Sequence, residues 1–347
     1  MRRRLRRAYL GARAAVLAPL AWRRARAGPP ATCRRILLVR MDRIGDLVLT
    51  TPFLQSLRDC YPDAEVVLLG RRFAQELLAG RRLVDRLVTV EDRAGSPADP
   101  LDGPFDLAID LHYDYLLRPA LLARRANAAC SVGFDIGGRG VLFDIPVPAS
   151  EPKHFIEESL DILRALGHRP KRYPLALDLG PEAGEQARRL LAAQGVDGAY
   201  AIIHPGGHYP EQRWPAARFA ALADSLPALG LHPILLGAAA ERPLVDEVSA
   251  GMRIRPPTVC GAPLGVSAAA IGASRLFIGN NSGPLHIACA LEVPSVSTMG
   301  PTDPVRFWPA SDRAIVVRGS NVHAITPADM AAAVRRACPG SCSDREK

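Results

Sequence analysis

FIGNNSGPLHIACALEVPSVSTMGPTDP (Phe277–Pro304) is the stretch on which the fold turns. A short apolar strand runs into a polar turn, Gly-Asn-Asn-Ser-Gly-Pro. The turn opens an apolar helix with His286 one turn in, and a second strand follows. Strand, glycine turn, helix and strand form one unit of a parallel sheet covered by helices. A turn of this kind, at a helix start, offers backbone N–H groups and the positive end of a helix dipole to an anion. The alternative is a plain strand–helix connection, in which His286 is an ordinary core histidine.

The same alternation extends in both directions. Apolar runs predict strands at 34–40, 65–70, 86–90, 105–111, 131–135, 199–204, 232–236, 275–280 and 294–300. Helical patterns lie between them, at 47–62, 71–79, 115–127, 154–167, 214–230, 241–250 and 282–292, with a last one at 326–338. Gly167 reads as a helix stop, and Thr326 with Pro327 as an N-cap and first helical position. The proline-rich stretch 169–184 breaks the pattern and places a boundary near 178. The expected organisation is a basic arm (1–32), a first domain (33–177), a second domain (178–325) and a closing helix and tail (326–347). The expected fold class is α/β: two doubly wound parallel-sheet domains facing across a cleft, with ligands at the carboxyl ends of the strands.

Charge is distributed unevenly. Residues 1–35 hold eleven Arg and no Asp or Glu, so the formal net charge of +9 belongs to the arm, and the remaining chain carries −2. Nucleic-acid binding by the folded body is therefore not expected. Leu5, Tyr9, Val16 and Leu20 share a helical face with Arg around them, which suits peripheral contact with an anionic membrane surface; the alternative is a solvated arm. No apolar run approaches the roughly 18–20 residues that span a bilayer. Seven scattered Cys form no Cys-x-x-Cys pair, as in a reducing, cytoplasmic compartment. GxSxG, HExxH, P-loop and early GxGxxG motifs are absent, which disfavours serine hydrolases, zincins, P-loop kinases and ordinary dehydrogenases.

Three loops at strand ends carry the candidate chemistry. The first is Arg40-Met41-Asp42-Arg43-Ile44-Gly45-Asp46. There Asp46 is either a general base or simply an acid favoured by a helix dipole. The second runs from His204 through Gly206 and Gly207 to Gln212-Arg213-Trp214-Pro215. Its glycines permit close backbone approach to a phosphate, and Arg213 offers a charged clamp. The third is the turn quoted above, with Ser282 and Gly283. There is no Asp-x-Asp pair to hold a metal on a diphosphate. Leaving-group charge would then fall to N–H groups, dipoles and Arg213.

ILLVRMDRIGDLVLTTPFLQSLRDCYPDAEV, HPGG…RWP and GNNSGPLHIACALEVPSVSTMGPTDP, with FDLAIDLHYDYLLRPALLARRANAACSVGFD and KHFIEESLDILRALG between the first two, resemble glycosyltransferase family 9 over about residues 35 to 337. Its best-known members are ADP-heptose:lipopolysaccharide heptosyltransferases. The resemblance implies a GT-B fold and metal-independent, inverting transfer from a nucleoside-diphosphate sugar, an ADP-sugar before others, to a lipid-linked glycan, with no further cofactor. It implies Asp46 as the base. It assigns the donor to Gly206, Gly207, Gln212, Arg213, Glu241, Asn281, Ser282, Gly283 and His286. Arg40, Arg43, His112 and Arg118 are the residues expected to meet the acceptor. Gln212 stands where the family often has Lys, and Asn281 where Asp is common. A UDP-sugar epimerase of the same fold, or a non-catalytic sugar-nucleotide or glycan binder, are the alternatives. The expected location is the cytoplasm, at the inner face of the membrane.

Overall fold

The computed structural model describes residues 9–13, 15–17, 28–80, 83–90, 101–300 and 303–338. The rest of the expected arm, part of the Gly300–Pro304 turn and the tail after 338 lie outside the described residues. The chain forms two compact units: Met1–Arg43 with Leu49–Tyr173, and Ile44–Val48 with Pro174–Lys347.

The first unit carries six parallel strands: β1 (Arg35–Arg40), β2 (Glu65–Gly70), β3 (Arg86–Thr89), β4 (Leu107–Asp110), β5 (Cys130–Asp135) and β6 (Ile145–Pro148). Their order is β3-β2-β1-β4-β5-β6. At the centre, Leu38 is in register with Leu68 on one side and Ile109 on the other. Ile36 to Val39 are fully buried, as a central parallel strand covered on both faces requires, so β1 reads as a continuous apolar run rather than an alternating one. The helices are α1 (Ile44–Cys60), α2 (Phe73–Leu77), α3 (Leu117–Arg125) and α4 (Phe155–Ala165). Gly167 does end α4: its φ of +88° lets its N–H and that of His168 reach the last carbonyls of the helix. Residues 9–13 and 15–17 are helical.

The second unit repeats the plan with β7 (Tyr200–His204), β8 (His232–Gly237), β9 (Thr258–Cys260), β10 (Leu276–Asn280), β11 (Ser295–Met299) and β12 (Ala314–Arg318). Their order is β12-β11-β10-β7-β8-β9, again all parallel. Its helices are α5 (Pro181–Ala192), α6 (Ala216–Ala223), α7 (Arg242–Ala250), α8 (Leu264–Gly272), α9 (Gly283–Ala290) and α10 (Pro327–Ala337). Thr326 caps α10 by accepting from the Asp329 N–H, while Asp329 accepts from the Thr326 N–H. Three strands (β6, β9, β12) and two helices (α5, α8) go beyond the sequence expectation. Each sheet reverses its winding between two central strands, β1 and β4 in the first and β7 and β10 in the second. The crevice outside such a reversal is where an open α/β sheet receives ligands. The three loops singled out in the sequence follow β1, β7 and β10.

Candidate functional site

In the second unit the loops after β7 and β10 are joined through His204. The buried ring has Nε2 3.2 Å from Glu241 Oε2 and Nδ1 3.3 Å from Ser282 Oγ. Glu241 sits just before α7 and its oxygens also accept from the N–H groups of Gly207 (3.2 Å) and Ala238 (2.9 Å). Burial works against its charge, but His204 and the two N–H groups outweigh that and draw its pKa down to about 2. It is therefore an ionised acid at neutral pH. Gly206 has no room for a side chain: a Cβ there would overlap Glu241 Oε1 and lie 2.8 Å from His204 Nε2.

Asn280 ties the same loops from below. Its Nδ2 donates to the carbonyls of Pro205 (2.8 Å) and Gly206 (2.9 Å), and its Oδ1 accepts from Trp214 N–H (2.9 Å) and Thr298 Oγ1 (2.8 Å). Asn280 is 2% exposed, and it bonds with both its amide oxygen and its amide nitrogen. Ser282, the N-cap of α9, has extended backbone and makes no side-chain bond to its own helix, because its hydroxyl faces His204 instead. Gly283 begins the helix and His286 lies buried in it. Arg213 folds onto its own loop, donating from Nε (2.9 Å) and Nη2 (2.7 Å) to Gly207 O. It fixes the loop carbonyl in the geometry seen here. Gln212 ends a short 3₁₀ turn, half-buried, and Asn281 Nδ2 donates to Phe307 O at 3.2 Å.

Residues Ile44–Val48, the first turn of α1, group with the second unit. A Cβ on Gly45 would lie 3.0 Å from His286 Cδ2, and one on Gly283 3.3 Å from Gly45 N. Two glycines thus let two backbones meet, and Asp46, an acid in the first turn of α1, follows directly. The sequence-predicted residues Asp46, Gly206, Gly207, Glu241, Ser282, Gly283 and His286 all fall in this unit. His204 and Asn280 connect the two loops there and were not singled out from sequence. Their signal was present only as a polar residue closing each apolar strand.

In the first unit the loop after β1 is held by a buried ion network. His112 lies between Asp42 Oδ1 at Nε2 and Asp110 Oδ1 at Nδ1 (2.7 Å), and Asp110 Oδ2 accepts from the buried Arg139. Arg40 donates to Asp42 (3.0 Å), Thr50 Oγ1 (2.9 Å) and Leu111 O (2.7 Å). Burial disfavours the His112 cation, but the two carboxylates prevail and raise its pKa to about 9. Burial likewise opposes the Asp42 charge, and Arg40 and His112 overcome it and hold that carboxyl well below the usual range. Arg40 and His112, expected from the sequence to meet an acceptor, stand inside this network. They are 3% and 2% exposed, and Arg40 keeps one buried guanidinium nitrogen, Nη2, without a hydrogen-bond partner. Arg43 and Arg118 are exposed, on the loop and on α3 respectively.

The model of glycosyltransferase family 9 (heptosyltransferase) matches residues 101–330. Lipopolysaccharide heptosyltransferase 3 of Escherichia coli is 26% identical over 335 residues, covering 86% of this chain and 97% of the relative. Among solved structures, a family 9 glycosyltransferase from Veillonella parvula superimposes with a TM-score of 0.79 at 24% identity, over 90% of this chain and 99% of that one. ADP-heptose lipopolysaccharide heptosyltransferase II of E. coli does so at 0.75 and 20%, over 87% and 98%. The two-sheet architecture is that of these GT-B-like enzymes. With two thirds of its length matched by the family model, the chain belongs to glycosyltransferase family 9.

Proposed function

We propose that this glycosyltransferase moves heptose, or a closely related sugar, from a nucleoside-diphosphate donor, ADP-heptose before others, to a lipopolysaccharide core or similar lipid-linked glycan. In this reading it acts at the inner face of the cytoplasmic membrane, inverts the anomeric centre and needs no metal. The observation that supports it is the packing of Gly45, the residue before Asp46, against His286 and Gly283 at the start of α9. The name of the E. coli relative favours heptose and a lipopolysaccharide acceptor.

The donor diphosphate lies at the N-terminal end of α9, where Ser282, Gly283 and the helix dipole meet its charge. Glu241, ionised and fixed by His204, faces the nucleoside ribose, and Asn281 and His286 complete that side. Gly206 and Gly207, against which Glu241 lies, continue into Gln212 and Arg213, with Arg213 as the cation in place of the missing lysine. Asp46 takes the proton of the acceptor hydroxyl as its oxygen bonds to the anomeric carbon. The bond from that carbon to the diphosphate breaks, and the electron pair leaves with the nucleoside diphosphate. A single displacement of this kind inverts the centre. Arg43 and Arg118, two exposed cations of the first unit, meet acidic groups of the acceptor.

A thermal-shift panel of ADP, UDP, GDP and CDP, with EDTA or magnesium, tests the donor. At about 100 times its dissociation constant, a ligand adds about 2.7 kcal/mol to the state that binds it, enough for several degrees. The expected result is a shift selective for ADP that survives EDTA. A shift by UDP without acceptor-dependent turnover would favour the epimerase alternative, and no shift by any nucleotide would contradict the donor site.

A further inference from the structure

The exposed large apolar side chains described in the first unit gather on two stretches. Tyr9 and Val16, 61% and 76% exposed, lie on the helical residues between 9 and 17. Tyr115, Leu116 and Leu121, 40%, 54% and 42% exposed, lie on α3 or just before it. The stretches are joined. Arg13 donates from Nε to Gly137 O (3.0 Å) and from Nη1 to Tyr115 O (2.5 Å). Gly137 has φ +61°, and a Cβ there would lie 2.9 Å from Leu10 Cδ2 and 3.2 Å from Tyr115 Cβ. The contact is therefore built around a position that favours glycine.

The same surface is cationic. Arg118, Leu121 and Arg125 are three and four residues apart on α3, all exposed, so an apolar side chain is flanked by arginines on one helical face. Among the described residues neither of these arginines, nor Arg124, forms an ion pair. Neighbouring acids are engaged elsewhere: Asp114 Oδ1 accepts from Leu116 N–H and Arg139, and Asp135 Oδ1 from Gly140 N–H. Residues 1–35 add eleven Arg and no acid to a chain otherwise close to neutral.

A polyanion such as nucleic acid would engage the arginines and gain nothing from Val16, Leu116 or Leu121. An apolar protein partner would gain nothing from the cations. A bilayer with anionic headgroups rewards both: apolar side chains enter the headgroup boundary while arginines stay at the phosphates. No helix among the described residues is long and apolar enough to cross a membrane, so the contact is a surface one. We propose that the face formed by the helical residues between 9 and 17 together with α3 docks on an anionic lipid bilayer. Its use, holding the chain beside a lipid-linked acceptor, rests on the proposed reaction; the contact itself does not.

Co-sedimentation of the full chain at physiological ionic strength tests this, with phosphatidylethanolamine–phosphatidylglycerol vesicles and with phosphatidylcholine vesicles. The chain is expected to bind the anionic vesicles only. The double variant Leu116→Gln, Leu121→Gln is expected to bind them at least about tenfold more weakly, with an unchanged circular dichroism melt. Val16→Gln on the other stretch serves as a second, independent variant. Three results would overturn the proposal: equal binding to phosphatidylcholine, unchanged vesicle binding by both variants, or heparin binding as tight as vesicle binding and indifferent to the glutamines. ADP binding measured without vesicles keeps the two readings apart. Failure of the unmodified chain to bind anionic vesicles, with ADP binding intact, sinks only the docking surface, and vesicle binding without ADP binding sinks only the donor site.

Discussion

At Glu241 three donors share two carboxylate oxygens, and the side facing Gly206 is closed. Gly206 is the most exacting position nearby, because its missing side chain is what allows the carboxylate to lie against the loop. Gly206→Ala is expected to displace Glu241 and cost about 1–3 kcal/mol of stability through overpacking. The check is the urea midpoint together with ADP affinity, both of which should fall. Retained affinity would mean that Glu241 is not needed where it stands. Sequence alone pointed to Gly206 and Glu241. It did not point to His204 or Asn280, because a histidine and an asparagine at strand ends have no meaning until residues between 37 and 78 positions away are brought to them.

At the scale of elements, central strands were legible because burial on both faces makes them unbroken apolar runs. Of the four edge strands only β3 was, and β6, β9 and β12 were not. β6 reads Ile-Pro-Val-Pro, and a proline cannot donate to a ladder, so it suggests a loop until it is seen at the sheet edge. β9 has three residues, and α8 is so uniformly small and apolar that it shows no helical face. The loop after β1 depends on an element-level device, the network of His112, Asp42, Asp110 and Arg139. Since the folded pKa of His112 is raised to about 9 from an ordinary 6.5, the folded state binds more protons between those values. Its contribution is complete below pH 6.5, declines as pH rises and is lost above about 9. The urea midpoint of the first unit should fall across that window, and His112→Gln should flatten the slope. An equal slope in that variant would assign the pH dependence to other groups.

Across the whole molecule, one strand order is used twice, and in each unit the winding reverses beside the loops that carry the polar residues. The repeated alternation of strands and helices was plain in the sequence. Which loops sit at a reversal was not, because that depends on strand order. Family membership supplies the reaction class, and the proposed chemistry rests on Asp46, the residue after Gly45, which packs against Gly283 and His286. The most direct test is heptose transfer by the wild type and by Asp46→Asn under saturating donor, with ADP affinity measured on both. A general base contributes about 10²–10⁴-fold. The account predicts a loss of kcat of that size with ADP affinity unchanged. Turnover within a few-fold of wild type would contradict it and remove Asp46 from the reaction.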